Sequence, residues 1–505
     1  MIELGSRPLT LTDVMQVVAG EVSVRLADQA RARMRRSRSV VERAVAEGRV
    51  VYGVTTGFGE LKDRHIPSDQ VRALQLNLLR SHSAGVGPEA PRDTVRAMLL
   101  LRAASLAHGS SGCRPDIVDG LLALLERDVV PVVPLQGSVG ASGDLQPLAH
   151  LASVLMGEGE AWLGPSRMPA SLALRGAGLQ PLTLEAKEGL ALINGTQLST
   201  ANAALACSEA RRVWEAAVGA AALTTEVLLG SFVPARADVQ ELRPYPGAQE
   251  SARRLRAYAL GSALVESHAG CDRVQDAYSS RCVPQVMGAA WDAIEHVERQ
   301  LQIEFDSVND NPVVFAERGE VVSAGLFHAQ PVAMAADYLK IAASAIGNMS
   351  ERRIDRLVNA GDSKLPAVLA TTPGLESGYM LAQYTAAALV SENKVLSHPA
   401  SVDTIPTGGG IEDHVSMAPA AARQARTVVS HVAKVVALEL LCACRALEFR
   451  RPLTAGEGSE MLYGAVRRLV PAPDGDRPFG DACENLAAWV LSRAPERLAE
   501  EVLKA

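Results

Sequence analysis

Three long segments with helical spacing of their apolar residues place the tightest limit on what this chain can fold into. They are Ser199 to Phe232, Pro331 to Val358 and Ser416 to Phe449, and each holds few residues that would end a helix. Pro419 marks a start or a kink of the third segment. Because the segments exceed ordinary helix length and are rich in alanine, they predict a mainly all-α protein built as a long-helix bundle.

The chain also changes in character along its length. Turn-rich islands such as Tyr52 to Leu61 and His82 to Pro91 interrupt the helical pattern near the N-terminus. We therefore expect a loop-rich N-terminal region over 1–200, a central long-helix bundle over 201–450 and short C-terminal helices over 451–505. Loops on a rigid scaffold often carry functional side chains, so the first region is where we expect a site.

Charge and cysteine content exclude several classes of protein. The 505 residues carry a formal net charge of −7, whereas a general nucleic-acid binder needs a clustered basic surface. We interpret the one basic cluster, Arg31 to Ala44, as the solvated face of an amphipathic helix. Seven cysteines without a C-x-x-C pair are typical of free thiols in a reducing compartment, which predicts a cytoplasmic protein. No run of 18 uncharged apolar residues occurs, so we expect no membrane span.

The stretch GSVGASGDLQPLAH, residues 137–150, concentrates flexible glycine residues in its first half. Its glycines, Gly137, Gly140 and Gly143, are three residues apart. This spacing fits neither the phosphate loop G-x-x-x-x-G-K-[ST] nor the dinucleotide fingerprint G-x-G-x-x-G. Asp144 stands where the hydrolase elbow G-x-S-x-G requires a glycine. The usual phosphate and serine-nucleophile motifs are therefore excluded.

The tripeptide Ala141-Ser142-Gly143 suits a reaction of the backbone with itself. If the backbone nitrogen of Gly143 attacks the carbonyl carbon of Ala141, a five-membered ring closes, and the missing Cβ permits that approach. Loss of water from the ring, and then of the Ser142 hydroxyl, leaves an exocyclic methylidene on an imidazolone. The product is a strong electrophile made from the chain alone.

The longer run 137–152 resembles the motif from which the histidine and phenylalanine ammonia-lyase family forms 4-methylidene-imidazole-5-one, its prosthetic group. Blocks in the family's order cover about residues 50–430, among them YGVTTGFG (52–59), RSHSAGVG (80–87) and SVNDNPVVF (307–315). The resemblance implies a fold of the ammonia-lyase/fumarase-like type, no metal, no external cofactor and assembly as a homotetramer. The implied reaction removes ammonia from an α-amino acid and leaves an α,β-unsaturated acid.

The resemblance also assigns roles to three residues around the reacting atoms. Tyr52 matches the base that takes the substrate β-proton, although a tyrosine here is more often a packing residue. Because its reference pKa is near 10, we expect a cation or converging hydrogen-bond donors beside it. Tyr278 matches a second essential tyrosine. Arg281 matches the residue that grips the substrate carboxylate, for which a planar guanidinium is well suited.

Two amides and one aromatic residue complete the implied surroundings of the prosthetic group. Asn194 and Gln275 match amides that hydrogen-bond the amine and the ring, since amides orient a substrate without competing as bases. Phe327 matches an aromatic residue beside the ring, where exclusion of water protects the electrophile.

Two positions bear on which amino acid is deaminated. The pair Ser81-His82 resembles histidine lyases and some tyrosine aminomutases, and it argues against phenylalanine. Glu412 is typical of histidine lyases, since a carboxylate can pair with an imidazole N–H. The residues before Glu412, TGGGI at 407–411, depart from the family's usual TSANQ, and Leu326 stands where an Asn is usual.

Histidine, giving urocanate, is therefore the expected substrate, and alternatives stay open. A tyrosine ammonia-lyase or a tyrosine 2,3-aminomutase is the second hypothesis within the family. A catalytically inactive helical scaffold is a third, although the intact Ala141-Ser142-Gly143, Tyr52 and Arg281 argue against it. The expected partner is a small amino acid, with neither nucleic acid nor membrane involved.

Overall fold

The computed structural model describes residues 1–57, 59, 63–359, 361 and 364–504. The helices within these ranges are α1 (Leu11–Val18), α2 (Asp28–Ala46), α3 (Val71–His82), α4 (Arg92–Ala107), α5 (Pro115–Glu126), α6 (Leu145–Leu155), α7 (Ala170–Gly176), α8 (Glu188–Ile193), α9 (Gln197–Val227), α10 (Ala237–Glu241), α11 (Pro246–Tyr258), α12 (Ala263–Glu266), α13 (Tyr278–Arg281), α14 (Val283–Phe305), α15 (Gln330–Val358), α16 (Met380–Leu396), α17 (Ala418–Arg450), α18 (Glu457–Leu469), α19 (Gly480–Leu491) and α20 (Ala494–Val502).

The strands are short and form small separate sheets. They are β1 (Ile2–Leu4), β2 (Val24–Leu26), β3 (Val86–Glu89), β4 (Val129–Pro131), β5 (Pro134–Gln136), β6 (Glu160–Leu163), β7 (Ser166–Pro169), β8 (Val313–Phe315) and β9 (Glu320–Val322). β1 pairs with β2 in parallel. The other pairs are antiparallel: β3 with β5, β4 with β6, β6 with β7, and β8 with β9, so that β6 is the central strand of a three-stranded sheet. Helices dominate, so the prediction of a mainly all-α fold is confirmed.

The three long segments predicted as helices correspond to α9, α15 and α17. Pro419 lies in the first turn of α17, where a missing backbone N–H removes no helical hydrogen bond. The residue therefore marks a helix start and not a kink.

The chain forms two compact units, each assembled from separate segments. Unit 1 comprises residues 1–205, 298–337 and 399–423. In it α4 packs against α1 and α5, while α3, α6 and α8 pack against one another. Nearly all of α4 and α6 is buried, which accounts for their apolar sequences.

Unit 2 comprises residues 206–297, 338–398 and 424–505. Its core includes the fully buried Trp214, whose indole N–H donates to the Met287 carbonyl at 2.7 Å. The C-terminal helices α18, α19 and α20 pack together, and α18 and α20 also contact α11. The predicted division at 1–200, 201–450 and 451–505 stays a prediction.

The basic segment in α2 is only in part the solvated face that its composition indicates, because Arg35, Arg36 and Arg43 are exposed while other arginines make internal contacts. Arg31 forms a two-pronged ion pair with Asp119 at 2.7 and 2.8 Å. Arg38 is only 7% exposed and donates to the Ala186 carbonyl at 2.7 Å. These guanidinium groups join α2 to neighbouring segments of unit 1, a role that charge patterning alone does not separate from solvation.

Among the described residues, α17 has the length and apolar composition of a helix that could cross a membrane, although 78% of its most apolar stretch is buried within the structure. A core helix meets the same two criteria, so this is weak evidence for a span.

Candidate active site

The glycine run forms the loop between β5 and α6, and its last residue anchors it. Asp144 is completely buried, and its Oδ2 and Oδ1 accept the Ser199 backbone N–H at 2.8 Å and the Ser199 hydroxyl at 3.0 Å. Burial raises the pKa of Asp144 to about 6, against the opposing effect of the Ser199 bonds. The loop is thereby fixed to the first turn of α9.

Gly143 occupies a position that no other residue fits. Its φ of +79° lies in the left-handed region, and a Cβ would overlap the Gly195 carbonyl group. The same Gly195 oxygen accepts the Asp144 N–H at 2.6 Å. The close contact with residue 195 therefore holds the peptide after Ser142 in a tight bend.

Ser142 lies between two groups that the sequence analysis singled out. Its hydroxyl donates to Glu412 Oε1 at 2.6 Å, and its carbonyl accepts the Asn194 side-chain N–H at 3.2 Å. Asn194 is 3% exposed, and its Oδ1 has no hydrogen-bond partner among the described residues. A buried unpaired acceptor next to Ser142 is therefore available to another group.

A short glycine turn orients Glu412. Its Oε2 accepts the Thr407 hydroxyl at 2.7 Å, and its carbonyl accepts the Thr407 N–H at 3.0 Å. Between them the glycines at 408–410 have φ values of 54°, 63° and 86°. Successive left-handed residues close the turn, so both carboxylate oxygens of Glu412 have defined donors.

His82 ends α3 close to the same carboxylate. Its Nδ1 lies 2.9 Å from the Leu78 carbonyl, which can only accept, so the neutral ring carries its proton on Nδ1 and Nε2 is an acceptor. Burial lowers the pKa of His82, while the Leu78 bond and the charge of Glu412 oppose that shift. The Nε2 of His82 and the carboxylate of Glu412 are therefore two hydrogen-bond acceptors in unit 1.

Tyr52 and Phe327 are both half-buried in unit 1. The Gly59 backbone N–H donates to the Tyr52 hydroxyl at 3.4 Å. Next to Phe327, the His328 ring stacks on His414 at 5.7 Å between ring centres, two residues after Glu412. Because His328 follows Phe327 and His414 is two residues after Glu412, this stacking places Phe327 and Glu412 in neighbouring segments of the chain.

The remaining predicted residues belong to unit 2. Tyr278 is 70% exposed, and the Arg281 guanidinium lies over its ring, 4.9 Å from the ring centre. Arg281 Nε is buried and has no hydrogen-bond partner among the described residues. Gln275 is exposed at the wall of a cavity of about 380 Å³, which Asp276 and Ser280 also line. Arg281 therefore has an Nε–H donor available to another group, and Gln275 and Tyr278 in the same segment are exposed to solvent.

Sequence reasoning missed several residues that support this arrangement. Thr407 and Gly195 hold Glu412 and Gly143, and Ser199 holds Asp144. None carries a recognisable chemical motif, because each acts through a contact between distant parts of the chain. The run of three glycines after Thr407 was the one available signal, since it requires an unusual turn.

Three comparisons place the chain among known proteins. A histidine ammonia-lyase of Gloeobacter violaceus is 54% identical over 470 residues, which cover 93% of this chain and 91% of that protein. A crystal structure of histidine ammonia-lyase from Trypanosoma cruzi superposes with a TM-score of 0.92 at 40% identity, covering 99% of this chain and 95% of that one. A tyrosine aminomutase structure from Streptomyces globisporus superposes with a TM-score of 0.94 at 36% identity, covering 99% of this chain and 98% of that one.

The fold is therefore that of the helical ammonia-lyases and aminomutases. A family model described as aromatic amino acid lyase matches residues 9–468, and the chain belongs to that family. It is a carbon–nitrogen lyase that acts on a small amino acid.

Proposed function

We propose that the chain eliminates ammonia from L-histidine and releases urocanate. The observation that carries this proposal is the position of Glu412, whose carboxylate accepts the Ser142 hydroxyl at 2.6 Å and whose charge acts on the His82 ring, where it opposes the lowering of the His82 pKa by burial. A carboxylate at this place suits an imidazole N–H and has no use beside a hydrocarbon ring. The histidine ammonia-lyases among the relatives support the same substrate.

The residues around Ser142 fit an internal 4-methylidene-imidazole-5-one formed from Ala141-Ser142-Gly143. Gly143 has the bare, left-handed backbone that ring closure needs, and the unpaired Asn194 Oδ1 offers a buried acceptor beside it. When formed, the group supplies the electrophile that activates the substrate amine for departure. Dehydration of Ser142 removes the donor of Glu412 Oε1, so that oxygen becomes available to a substrate N–H.

The proton chemistry belongs to Tyr52 in this proposal. The base must take a weakly acidic β-proton, and the Gly59 N–H donates to the Tyr52 hydroxyl at 3.4 Å, which helps to orient that oxygen. Tyr278 is the second tyrosine near the reacting atoms. Phe327 limits access of water to the electrophile.

Arg281 and the amides orient the substrate in this proposal. The unpartnered, buried Nε of Arg281 is a donor suited to a carboxylate, and a guanidinium can bind both of its oxygens. Asn194 and Gln275 hydrogen-bond the amine and the prosthetic ring without acting as bases.

Two hydrogen-bond acceptors, which we place beside the side-chain ring of the substrate, favour histidine over tyrosine. Glu412 accepts a hydrogen bond, and the Nε2 of His82 can accept one because its Nδ1 faces the Leu78 carbonyl, whereas a protonated imidazole offers two N–H donors. A phenol has a single O–H donor and would leave one acceptor unpaired, which costs binding free energy.

Turnover of separate amino acids tests the proposed substrate. The protein is incubated with L-histidine and with L-tyrosine, and the absorbance of the corresponding unsaturated acid is followed. We expect urocanate from histidine and at most slow formation of coumarate from tyrosine. Turnover of tyrosine with no reaction of histidine would refute the assignment.

A tyrosine ammonia-lyase or tyrosine 2,3-aminomutase is the second candidate. It is supported by the likeness to the tyrosine aminomutase of Streptomyces globisporus and by the exposed Leu326 in place of the usual polar residue. An aminomutase returns ammonia to the β-carbon, so chromatography of the tyrosine reaction should then show a β-amino acid. A non-catalytic scaffold is distinguished by mass, because a mature prosthetic group leaves the chain lighter by two water molecules.

We also propose a cytoplasmic homotetramer with each site built from more than one subunit. All seven cysteines are free, which suits a reducing compartment. Tyr278 is exposed, which is unusual for a residue near reacting atoms. Val274, four positions earlier, is 94% exposed, which is unusual for an apolar side chain. Assembly with other subunits would cover both. Sedimentation analysis tests the assembly, and a stable monomer that turns over substrate would contradict it.

A further inference from the structure

Unit 2 contains an ion pair whose two side chains are completely buried. Arg353 of α15 donates to Glu439 of α17 through Nε at 2.6 Å and through Nη2 at 2.8 Å. This two-pronged geometry satisfies both charges at once. A buried pair pays a large desolvation cost, so it is seldom the most effective way to stabilise a core.

The carboxylate of Glu439 is fixed by two further donors. Thr224 of α9 donates to Oε1 at 2.8 Å, and Ser350 of α15 donates to Oε2 at 2.6 Å. Four hydrogen bonds from two helices therefore converge on this one group of α17. Because the Glu439 carboxylate is held in place, the Arg353 guanidinium that binds it through Nε and Nη2 has one orientation. Its third nitrogen, Nη1, therefore points in a fixed direction.

That remaining edge contacts the short helix that carries two of the proposed site residues. Arg353 Nη1 donates to the Ser279 carbonyl at 3.3 Å, and Ser279 lies in α13 between Tyr278 and Arg281. A four-residue helix has little stability of its own, and α13 is joined to the long α14 by Cys282 at its far end, so contacts such as this one help to set its position. Upstream of it, Asp276 accepts the Ser231 N–H at 2.7 Å, which holds the entry to α13.

We propose that Arg353 is a positioning residue for Arg281. The buried pair with Glu439 holds the guanidinium rigid, and the rigid guanidinium holds the Ser279 carbonyl and with it the helix that presents Arg281 to the substrate carboxylate. This inference rests on the proposed role of Arg281 and adds a residue that does not itself touch the substrate. A looser α13 weakens substrate binding more than it slows chemistry.

Arg353→Lys tests the inference directly. Lysine can keep the ion pair with Glu439, but one ammonium group cannot also replace the planar grip on both Glu439 and Ser279. We expect the KM for histidine to rise about tenfold, the effect of one hydrogen bond to a charged group. kcat should fall by less than the rise in KM. A purely structural role would reduce the amount of folded enzyme, which lowers apparent kcat and leaves KM unchanged.

Thr224→Val provides a milder variant in case Arg353→Lys does not fold. It removes one donor to Glu439 and leaves the pair intact, so we expect KM to rise about twofold to threefold. The matched control is Thr225→Val at the next position, because that hydroxyl donates to the Ala221 carbonyl of its own helix at 2.8 Å. The control should leave KM unchanged, with a similar change in Tm.

Mass and wild-type turnover separate this inference from the proposed function. All variants should remain lighter by two waters, because Ala141-Ser142-Gly143 lies in unit 1. If the wild type does not turn over histidine, the proposed function fails. If the wild type does so and both Arg353→Lys and Thr224→Val keep its KM, the positioning role is overturned.

Discussion

At the scale of single residues, Gly143 is where backbone conformation and proposed chemistry make the same demand. Its φ of +79° and its contact with the Gly195 carbonyl leave no room for a Cβ, and ring closure needs an unhindered nitrogen. We expect Gly143→Ala to keep the full unmodified mass and to lose turnover. Mass spectrometry of the intact chain is the measurement.

A matched glycine separates strain from chemistry in that experiment. Gly159 has a φ of +77°, and a Cβ there meets nothing within 4 Å. Gly159→Ala should cost about 1 kcal/mol of stability from the backbone conformation alone. It should nevertheless mature and turn over substrate. Formation of the prosthetic group in Gly143→Ala would contradict the proposed ring closure.

Glu412 is the residue that most directly tests substrate choice. Glu412→Gln keeps the shape and replaces one charged acceptor with a neutral amide. Loss of a charge-assisted hydrogen bond corresponds to about 1.5 to 3 kcal/mol, so kcat/KM for histidine should fall about tenfold to a hundredfold. Activity on tyrosine should be unchanged or higher. Asp413→Asn, at the exposed neighbouring acid, is the control and should leave the ratio of the two activities as it is.

The chemical types at the site could be predicted from the sequence, but their contacts could not. The glycine run and its resemblance to a family identified Ser142 and Glu412 as candidates. They are 270 positions apart, and only the folded unit brings them to 2.6 Å. Supporting groups such as Thr407 have no chemistry of their own to detect, since their role is to hold another side chain.

At the scale of elements, the long helices were predictable because apolar periodicity and alanine content extend over many turns. The end of α9 was not, since the pattern suggests Phe232 and the helix ends at Val227. Leu229 has a φ of +53°, and the Gly230 N–H donates to the Thr225 carbonyl at 2.7 Å. The left-handed residue that ends the helix is thus Leu229 and not the usual glycine, so the sequence carries no local signal for this end.

The glycine turn before Glu412 gives an element-scale prediction. At Gly408, with a φ of +54°, a Cβ would lie 3.0 Å from Glu412 Oε2, so Gly408→Ala should displace that carboxylate. We expect KM for histidine to rise about fivefold to tenfold, in line with a weakened charged hydrogen bond. At Gly410 the φ is +86°, and a Cβ meets nothing within 4 Å. Gly410→Ala shares the backbone strain and should keep KM; equal KM values in the two variants would contradict the argument.

At the scale of the whole molecule, the sequence indicates a bundle but not how its segments are distributed. Each of the two units gathers three stretches that are far apart in the chain. Helices α9, α15 and α17 contribute residues to both units, so no composition change marks a boundary. The burial of each segment therefore depends on segments that follow much later in the chain.

Stability against pH tests the buried carboxylates of the molecule, of which Glu226 is a clear case. It is fully buried, accepts the Gly456 N–H at 2.6 Å, and burial raises its pKa to about 6. Because the pKa in the folded state lies above the unfolded value, the folded protein holds the proton more tightly. This contribution is therefore present at pH 4 to 5 and is lost as the pH rises through about 6.

Glu226→Gln removes that titration, because the amide is neutral at every pH. By linkage, a pKa raised from 4.5 to about 6 corresponds to about 2 kcal/mol of stability in total, of which the wild type loses about 1 kcal/mol between pH 5 and pH 8. The Tm of the variant relative to wild type should therefore be higher at pH 8 than at pH 5. The half-buried His82 and His150, whose pKa values burial lowers, destabilise both proteins equally at low pH and cancel in the difference. A difference in Tm that is the same at both pH values would show that Glu226 ionises in the folded protein as it does in the unfolded chain.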